Sequence, residues 1–180
     1  SYTQGRRAAS VQEILDKVQE YQSSGLVVIT GGEPFRQDIT RLLNVLTDAG
    51  FYVQIETNGT LQPVEYPYNT IPGIRAGVYV VCSPKAGKVH PRINDVACCF
   101  KYVIAHDSIH DDGLPLRALE HRASPYVARP PKNWARPIYL QPMDSKDEEL
   151  NRLNLRAAID SCMKFGYILQ LQIHKIIGME

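Results

Sequence analysis

Hydrophobic positions along the chain follow two patterns, one with the period of a helix and one with the short continuous runs of a buried strand. Ser10 and Glu13 have the spacing of a capping box, and apolar positions recur on one helical face behind them. Leu26 to Ile29 is a continuous apolar run, typical of a strand covered on both faces in a parallel sheet. An amphipathic helix around Leu43 and a second strand, Tyr52 to Glu56, follow at once. This order predicts a βαβ unit with parallel strands.

Later segments continue the alternation and predict an α/β fold, either a parallel β/α barrel or an open sheet, in one domain over residues 1–180. The proline-rich stretch from Asp107 to Pro137 is predicted to hold one short helix, Leu116 to His121, within an irregular insertion. A longer helix, ended by Gly166, is predicted to turn one face inward: Leu150, Leu153, Ala157, Ser161 and Cys162. Further strands are predicted at Val78–Cys82, Phe100–Ile104, Ile138–Gln141 and Ile168–Gln172.

Composition narrows the function classes. The 180 residues are 44% hydrophobic and 22% charged, as in an ordinary globular domain. Twenty basic and 19 acidic residues leave a formal net charge of +1, which gives no electrostatic reason to expect nucleic acid or a membrane as partner. No apolar run approaches the roughly 20 residues of a membrane span, and the cytoplasm is the expected location. The four cysteines form no C-x-x-C pair and are predicted to be reduced and mostly buried.

Compact polar motifs come directly after five of the predicted strands. The carboxyl ends of parallel strands share one edge, where ligands bind in barrels and open α/β sheets, so these motifs are predicted to form one site. In chain order they are Thr30-Gly31-Gly32-Glu33-Pro34, Glu56-Thr57-Asn58-Gly59, Ser83-Pro84-Lys85, Gln141-Pro142-Met143-Asp144 and His174-Lys175.

Each motif has both a ligand-binding interpretation and a purely structural one. Adjacent glycines let a backbone pass close to a ligand, Glu33 could bind an ammonium, and Lys85 could pair with a carboxylate. Alone, each motif could equally be a turn or the end of a strand, and His174 a structural histidine. The repeated placement after successive strands favours a shared site.

These motifs resemble a known family. A strand ending in T-G-G-E-P is the cofactor-binding signature of radical S-adenosylmethionine enzymes. The further motifs E-T-N-G, S-P-K, Q-P-M-D and Q-x-H-K, in this order, resemble the 7-carboxy-7-deazaguanine synthases from about Val27 to Glu180. The resemblance implies a partial, incomplete β/α barrel of the radical S-adenosylmethionine type, usually a homodimer.

The activity that the resemblance implies is a radical ring contraction. A 4Fe–4S cluster, fed by an electron donor such as a flavodoxin, cleaves S-adenosylmethionine to a radical that takes a hydrogen from 6-carboxy-5,6,7,8-tetrahydropterin. With Mg²⁺ present the ring contracts, ammonia is lost and 7-carboxy-7-deazaguanine forms, a precursor of queuosine. Two other readings stay open, a different radical S-adenosylmethionine enzyme such as a glycyl-radical activase and a cluster-free, non-catalytic relative. A plain α/β domain would need all five motifs to be accidental.

Residue by residue, the resemblance implies cofactor contacts along the motifs and pterin contacts at three further positions. Thr30, His174 and the terminal carboxylate of Glu180 are implied to touch the pterin, and Glu33 to face the methionine ammonium. The implied cofactor-binding residues are Gly31, Gly32, Glu33, Glu56, Thr57, Asn58, Ser83, Pro84, Lys85, Gln141, Pro142, Met143 and Asp144.

One part of the family pattern is missing from the chain. The family holds its cluster with a C-x-x-x-C-x-x-C loop, and no such motif occurs here. Because that loop precedes an aromatic-Thr segment in the family, and this chain begins Ser1-Tyr2-Thr3, we expect the cluster cysteines, the Mg²⁺ ligand and the first strand upstream of Ser1. The 180-residue chain by itself is then predicted to be inactive.

Overall fold

Helices and strands alternate along the chain in the computed structural model, which describes residues 8–21, 25–71, 77–118 and 126–178. The helices are α1 (Val11–Gln19), α2 (Thr40–Asp48), α3 (Pro91–Val96), α4 (Glu148–Phe165) and α5 (Ile173–Ile176), with a 3₁₀ turn at Pro34–Arg36. The strands are β1 (Leu26–Ile29), β2 (Tyr52–Thr57), β3 (Tyr68–Asn69), β4 (Val78–Cys82), β5 (Ala97–Ile104), β6 (Ile138–Pro142) and β7 (Ile168–Leu169).

The strands form one parallel sheet in the order β1-β2-β4-β5-β6-β7, and β3 pairs with the start of β4. Among the described residues no pairing joins β1 to β7, so the sheet is open and the predicted partial β/α barrel is confirmed. None of the described helices is long and apolar enough to cross a bilayer.

The two faces of the sheet differ in character. In β2 the side chains of Val53, Ile55 and Thr57 are buried towards the helices, while those of Gln54 and Glu56 are half-buried on the opposite side. This alternation is the period-2 pattern of a strand. We call that opposite side the inner face. The helix side carries the main hydrophobic core, which includes Leu43, Leu46, Val80, Phe100, Ile104 and Leu140.

Helix α4 packs through only part of the predicted face: the predicted positions from Ala157 onward lie against the core, but the two leucines do not. Leu150 and Leu153 are 39% and 43% exposed, whereas Asn154 and Ala158 are fully buried, so the prediction of an inward leucine stripe was wrong. The reason is the Asn154 amide. Its Oδ1 accepts the backbone N–H of His106 at 2.9 Å, and its Nδ2 donates to the carbonyl oxygen of Met143 at 3.0 Å. Because a buried polar group must be satisfied, these bonds fix the helix rotation and join the ends of β5 and β6.

The proline-rich connection between β5 and β6 covers the helix side of β5 with irregular backbone. Leu116–Ala118 are not helical, and the rest of the predicted helix lies outside the described residues. The hydroxyl of Tyr102 donates to the Ala128 carbonyl oxygen at 2.8 Å, and the Trp134 ring packs edge-on to Phe100 with centroids 4.7 Å apart. Five prolines remove backbone donors and disfavour a helix, so side chains provide much of the attachment.

Two helix ends agree with the prediction, and the bounds of two strands differ from it. The Ser10–Glu13 capping box is formed, and Gly166 ends α4 in the left-handed conformation at φ 74°, as predicted. Strand β5 starts three residues earlier than predicted, at a bulge that pairs Val80 with Ala97 and Val81 with Cys99. The last strand is shorter than predicted, ending at Leu169. Strand β3 and helices α3 and α5 were not predicted.

Gly59 provides a test of packing at the carboxyl end of β2. Its φ is +78°, and a Cβ there would lie 2.7 Å from Cys82 Sγ and 3.1 Å from a Val89 methyl carbon. We expect Gly59→Ala to lower the free energy of unfolding by about 2–5 kcal/mol, combining left-handed strain with overpacking. Gly50→Ala is the matched control, because Gly50 has φ +85° and open space around its Cβ position. It should cost only about 1–2 kcal/mol. Equal losses in urea unfolding of the two variants would contradict this account.

Candidate active site

All six strands of the main sheet path run parallel, so their carboxyl ends lie along one edge. The five polar motifs follow β1, β2, β4, β6 and β7, and they therefore all belong to this edge. Strand β5 contributes no motif at its end and lies between the two groups. The carboxyl edge, with the inner face below it, is the candidate site.

The first motif presents open backbone. Gly31 and Gly32 have φ values of +85° and +42°, and both are exposed. A Cβ at either position would meet nothing within 4 Å. The glycines are therefore not required by packing inside the chain. They leave room for a ligand to approach the main chain.

Glu33 joins the ends of β1 and β2. Only 6% of the residue is exposed. Its Oε1 accepts from the Thr57 hydroxyl at 2.6 Å and from the Phe35 N–H at 3.3 Å, while Oε2 accepts from the Asn58 N–H at 2.8 Å. No cationic side chain of the described residues pairs with it. Since a carboxylate offers about four acceptor positions, the three bonds leave about one for a ligand.

Further hydrogen bonds lead from the groups around this carboxylate to the motif that follows β4. The Gly59 N–H donates to Thr57 Oγ1 at 3.0 Å, and the Ser83 N–H donates to the Thr57 carbonyl oxygen at 2.8 Å. Pro84 is buried beside them, and Lys85 is exposed. Contacts thus connect the first three motifs into one group, which we call the Glu33 cluster: Glu33, Thr57, Asn58, Gly59 and Ser83.

The last two motifs meet separately, across the end of β6. Asp144 Oδ2 accepts from Lys175 Nζ, while Oδ1 accepts from the Lys146 N–H at 3.0 Å and the Asn151 amide at 3.1 Å. The Lys175 bond, followed by the other two, holds the pKa of Asp144 well below its usual range. Beside this ion pair is a cavity of about 410 Å³, lined by Pro142, Met143, Asp144, Asn151, Leu155, Leu171, Gln172 and Lys175.

The three residues predicted to contact a pterin have different positions. Thr30 is exposed directly after β1, at the carboxyl edge, and His174 is exposed in α5 next to Lys175. Gln141, which was predicted to contact the cofactor and not the pterin, is half-buried in β6, opposite Val103 of β5. Glu180 lies outside the described residues, so the predicted contact of its carboxylate stays a prediction.

Sequence reasoning missed the charged partner of Glu56. Lys101 Nζ lies 2.7 Å from Glu56 Oε1, and the Gln54 amide donates to the same oxygen at 3.2 Å. Lys101 is the only charged residue of β5, and it alternates with the buried Phe100 and Tyr102. This alternation places the Lys101 side chain on the inner face of the sheet. It was a usable sequence signal, because a charge at an inward position of a central strand needs a partner.

The four cysteines do not form a place for an iron–sulfur cluster. Cys82, Cys98 and Cys99 are buried in the sheet, as predicted, and Cys162 is half-buried on α4. Burial, with the nearby Glu33 carboxylate adding to it, raises the pKa of the Cys82 thiol. Within the described ranges no three His, Cys, Asp or Glu side chains are grouped to hold a metal ion. These residues therefore fit neither the cluster nor Mg²⁺.

Comparison with known proteins identifies relatives of this chain. No family model matches it. It is 35% identical to a 7-carboxy-7-deazaguanine synthase of Rickettsia prowazekii, over 94% of this chain and 69% of the relative. It is 38% identical to the protein of that name from Rhodospirillum rubrum, over 84% of this chain and 64% of the relative. The chain thus spans about two thirds of the length of these relatives.

A solved structure supports the architecture. The crystal structure of QueE from Escherichia coli superposes with a TM-score of 0.57, covering 91% of this chain and 64% of the other, at 24% identity. That likeness concerns the fold, an open parallel sheet flanked by helices. On the sequence identity to the Rickettsia protein, sustained over nearly the whole chain, the chain belongs to the 7-carboxy-7-deazaguanine synthase family.

Proposed function

We propose that this chain forms the S-adenosylmethionine- and pterin-binding part of a 7-carboxy-7-deazaguanine synthase, acting on 6-carboxy-5,6,7,8-tetrahydropterin. The observation that carries the proposal is the placement of five polar motifs, from strands spread over the chain, at one edge of a parallel sheet. Family membership supports the choice of reaction.

The described residues fit S-adenosylmethionine. The open Gly31-Gly32 backbone can bond a ligand's polar groups, and the spare acceptor position of Glu33 suits an ammonium. Ser83 and Lys85 offer a hydroxyl and a cation for a carboxylate. Residues 141–144 would complete the cofactor surface beyond β5. S-adenosylmethionine bound there would supply the chemistry of hydrogen abstraction from the pterin.

The pterin would lie against Thr30, His174 and the carboxylate of the chain terminus. The Asp144–Lys175 ion pair supports this placement, because it fixes α5 and thus His174 against the end of β6. The cavity of about 410 Å³ beside that pair offers room for part of a ligand.

The proposed reaction also needs a cluster, a metal ion and protein partners. A 4Fe–4S cluster and Mg²⁺ would need ligands other than the groups described above. A flavodoxin-like electron donor and a second copy of the chain are proposed partners. The four free thiols fit a reducing compartment and support a cytoplasmic location. A cluster-free binding protein is the alternative hypothesis, and it is supported by the burial and dispersal of the four cysteines.

Glu33→Gln should weaken both the fold and the binding of S-adenosylmethionine. All three groups that bond Glu33 are donors, so an amide NH₂ at either oxygen position would face a donor. We expect a loss of about 1–3 kcal/mol in urea unfolding, and weaker S-adenosylmethionine binding by calorimetry at a temperature where the variant is folded. Glu65→Gln is the control, because Glu65 pairs with Arg92 on the exposed surface; it should change either quantity little. Unchanged cofactor affinity in folded Glu33→Gln would contradict the ammonium contact.

The 180-residue chain, reconstituted without oxygen with iron and sulfide, should hold no 4Fe–4S cluster and form no 5′-deoxyadenosine. Its cysteines are buried and dispersed, and a cluster needs thiolates presented together. The same chain carrying a relative's three-cysteine loop at its N-terminus should bind the cluster and convert the pterin to 7-carboxy-7-deazaguanine. Iron and sulfide analysis and mass spectrometry provide the readouts.

Two results would change this conclusion. Formation of 5′-deoxyadenosine by the 180-residue chain alone would contradict the cysteine argument. A cluster-loaded, extended protein that cleaves S-adenosylmethionine but leaves the pterin unchanged would favour another radical enzyme over the synthase.

A further inference from the structure

The inner face of the sheet carries an ion pair whose role is not explained by the strand-end motifs. Lys101 is on β5, the one main-path strand without a motif at its end. Cys82 pairs with Phe100, so extending the register by one residue places Lys101 opposite Ser83. On its other side Lys101 pairs with Tyr139 of β6. The lysine is thus directly below the edge, between the Glu33 cluster and the residues after β6.

The pair spans a strand. Glu56 is on β2 and Lys101 on β5, with β4 between them, and strands two apart are separated by about 10 Å. The Lys101 side chain extends across that gap to bring Nζ within 2.7 Å of Glu56 Oε1. The side chains are only 13% and 25% exposed. A shorter residue at position 101 could not make this contact.

The contacts leave one oxygen of Glu56 available. Lys101 and the Gln54 amide both bond Oε1. Within the described part of the chain Oε2 accepts no hydrogen bond, so it is free to accept one from an N–H or O–H group in the cleft. An ammonium held on one oxygen fixes the orientation of the other.

Stability alone is a weak reason for such a pair. Removing two charges from water costs about as much as their attraction returns, and well-packed apolar residues at such positions are often as stable. The neighbouring inner-face positions Tyr79 and Val81 show that this face accepts apolar groups. A charge pair at this position, next to the candidate ligand edge, therefore points to a role in ligand binding.

We infer that Lys101 is a positioning residue of the ligand cleft, acting through Glu56. Its ammonium holds Glu56 with Oε2 turned to the cleft, where that oxygen accepts a hydrogen bond from a ligand donor group. The inference rests on the proposed function, because it takes the carboxyl edge as the ligand site. The donor belongs either to S-adenosylmethionine or to the pterin, and the two arms of the test separate them.

The experiment measures binding to purified wild-type, Lys101→Met, Lys101→Arg, Glu56→Gln and Lys101→Met/Glu56→Gln proteins. S-adenosylmethionine is titrated by calorimetry. The pterin probe is 6-carboxypterin, the aromatic relative of the substrate, followed by its own fluorescence. Lys132→Met is the matched control, because Lys132 is an exposed lysine in the proline-rich connection. Urea unfolding of every protein separates loss of folding from loss of binding.

Lys101→Met is expected to weaken binding of one or both ligands roughly tenfold, while Lys101→Arg stays within about threefold because it keeps a long cation. In the Glu56→Gln background, loss of Lys101 should change affinity less than about twofold, since the two residues act as one unit. The ligand whose affinity falls identifies the group that meets Oε2.

Folded Lys101→Met binding both ligands like wild type, with only its unfolding midpoint lowered, would overturn the inference and leave the proposed function intact. An equal loss with and without Glu56 would also overturn it. If wild-type protein binds neither ligand, the proposed function of this edge fails, and the inference falls with it.

Discussion

Parallel pairing of the strands is the constraint on which the rest of this structure depends. Parallel strands cannot be joined by tight hairpins, so each connection crosses over the sheet and returns the next strand in the same direction. As a result, segments as distant as Gly32 and Asp144 end at the same edge. The chain can therefore place a ligand site there while the helix side and its core, around Phe100 and Leu140, maintain the sheet.

The polar groups at this edge divide into two bonded groups. The Glu33 cluster joins β1, β2 and β4 through neutral donors, and the Asp144–Lys175 pair joins β6 to α5 through opposite charges. The two groups respond differently to salt: hydrogen bonds from neutral donors to a buried carboxylate are little affected by it, whereas an exposed ion pair is screened by it. Between them, Asn154 fixes the end of β5 to the end of β6 and so sets the spacing of the two groups.

Much of this arrangement could be predicted from local sequence, and the failures have physical causes. Continuous apolar runs identified the central strands, and Ser10, Glu13 and Gly166 identified helix ends, because these signals are encoded within a few residues. Leu150 and Leu153 of α4 were predicted wrongly to face the core, because a distant contact, from Asn154 to Met143, overrides the leucine pattern. The Glu56–Lys101 pair was missed for a similar reason, since no sequence spacing shows that β2 and β5 flank β4.

The proline-rich connection has a consequence for how the molecule opens. A crossover helix would hold itself together, whereas this segment is attached at separate points. Arg129 pairs with Asp112 within the segment, and Arg136 Nη1 donates to the carbonyl oxygens of Asn94, Asp95 and Ala97 at the end of α3. In its described part, one backbone hydrogen bond, from the Ala128 N–H to the Ala86 carbonyl oxygen, joins it to the loop after β4, while Leu114 and Val127 pack into the core. We expect it to open at a lower free energy than the sheet, with the loss of these apolar contacts as the main cost. Local unfolding there would expose the segment to proteases, and the Phe100 and Tyr102 side chains to solvent, while the parallel strands stay paired.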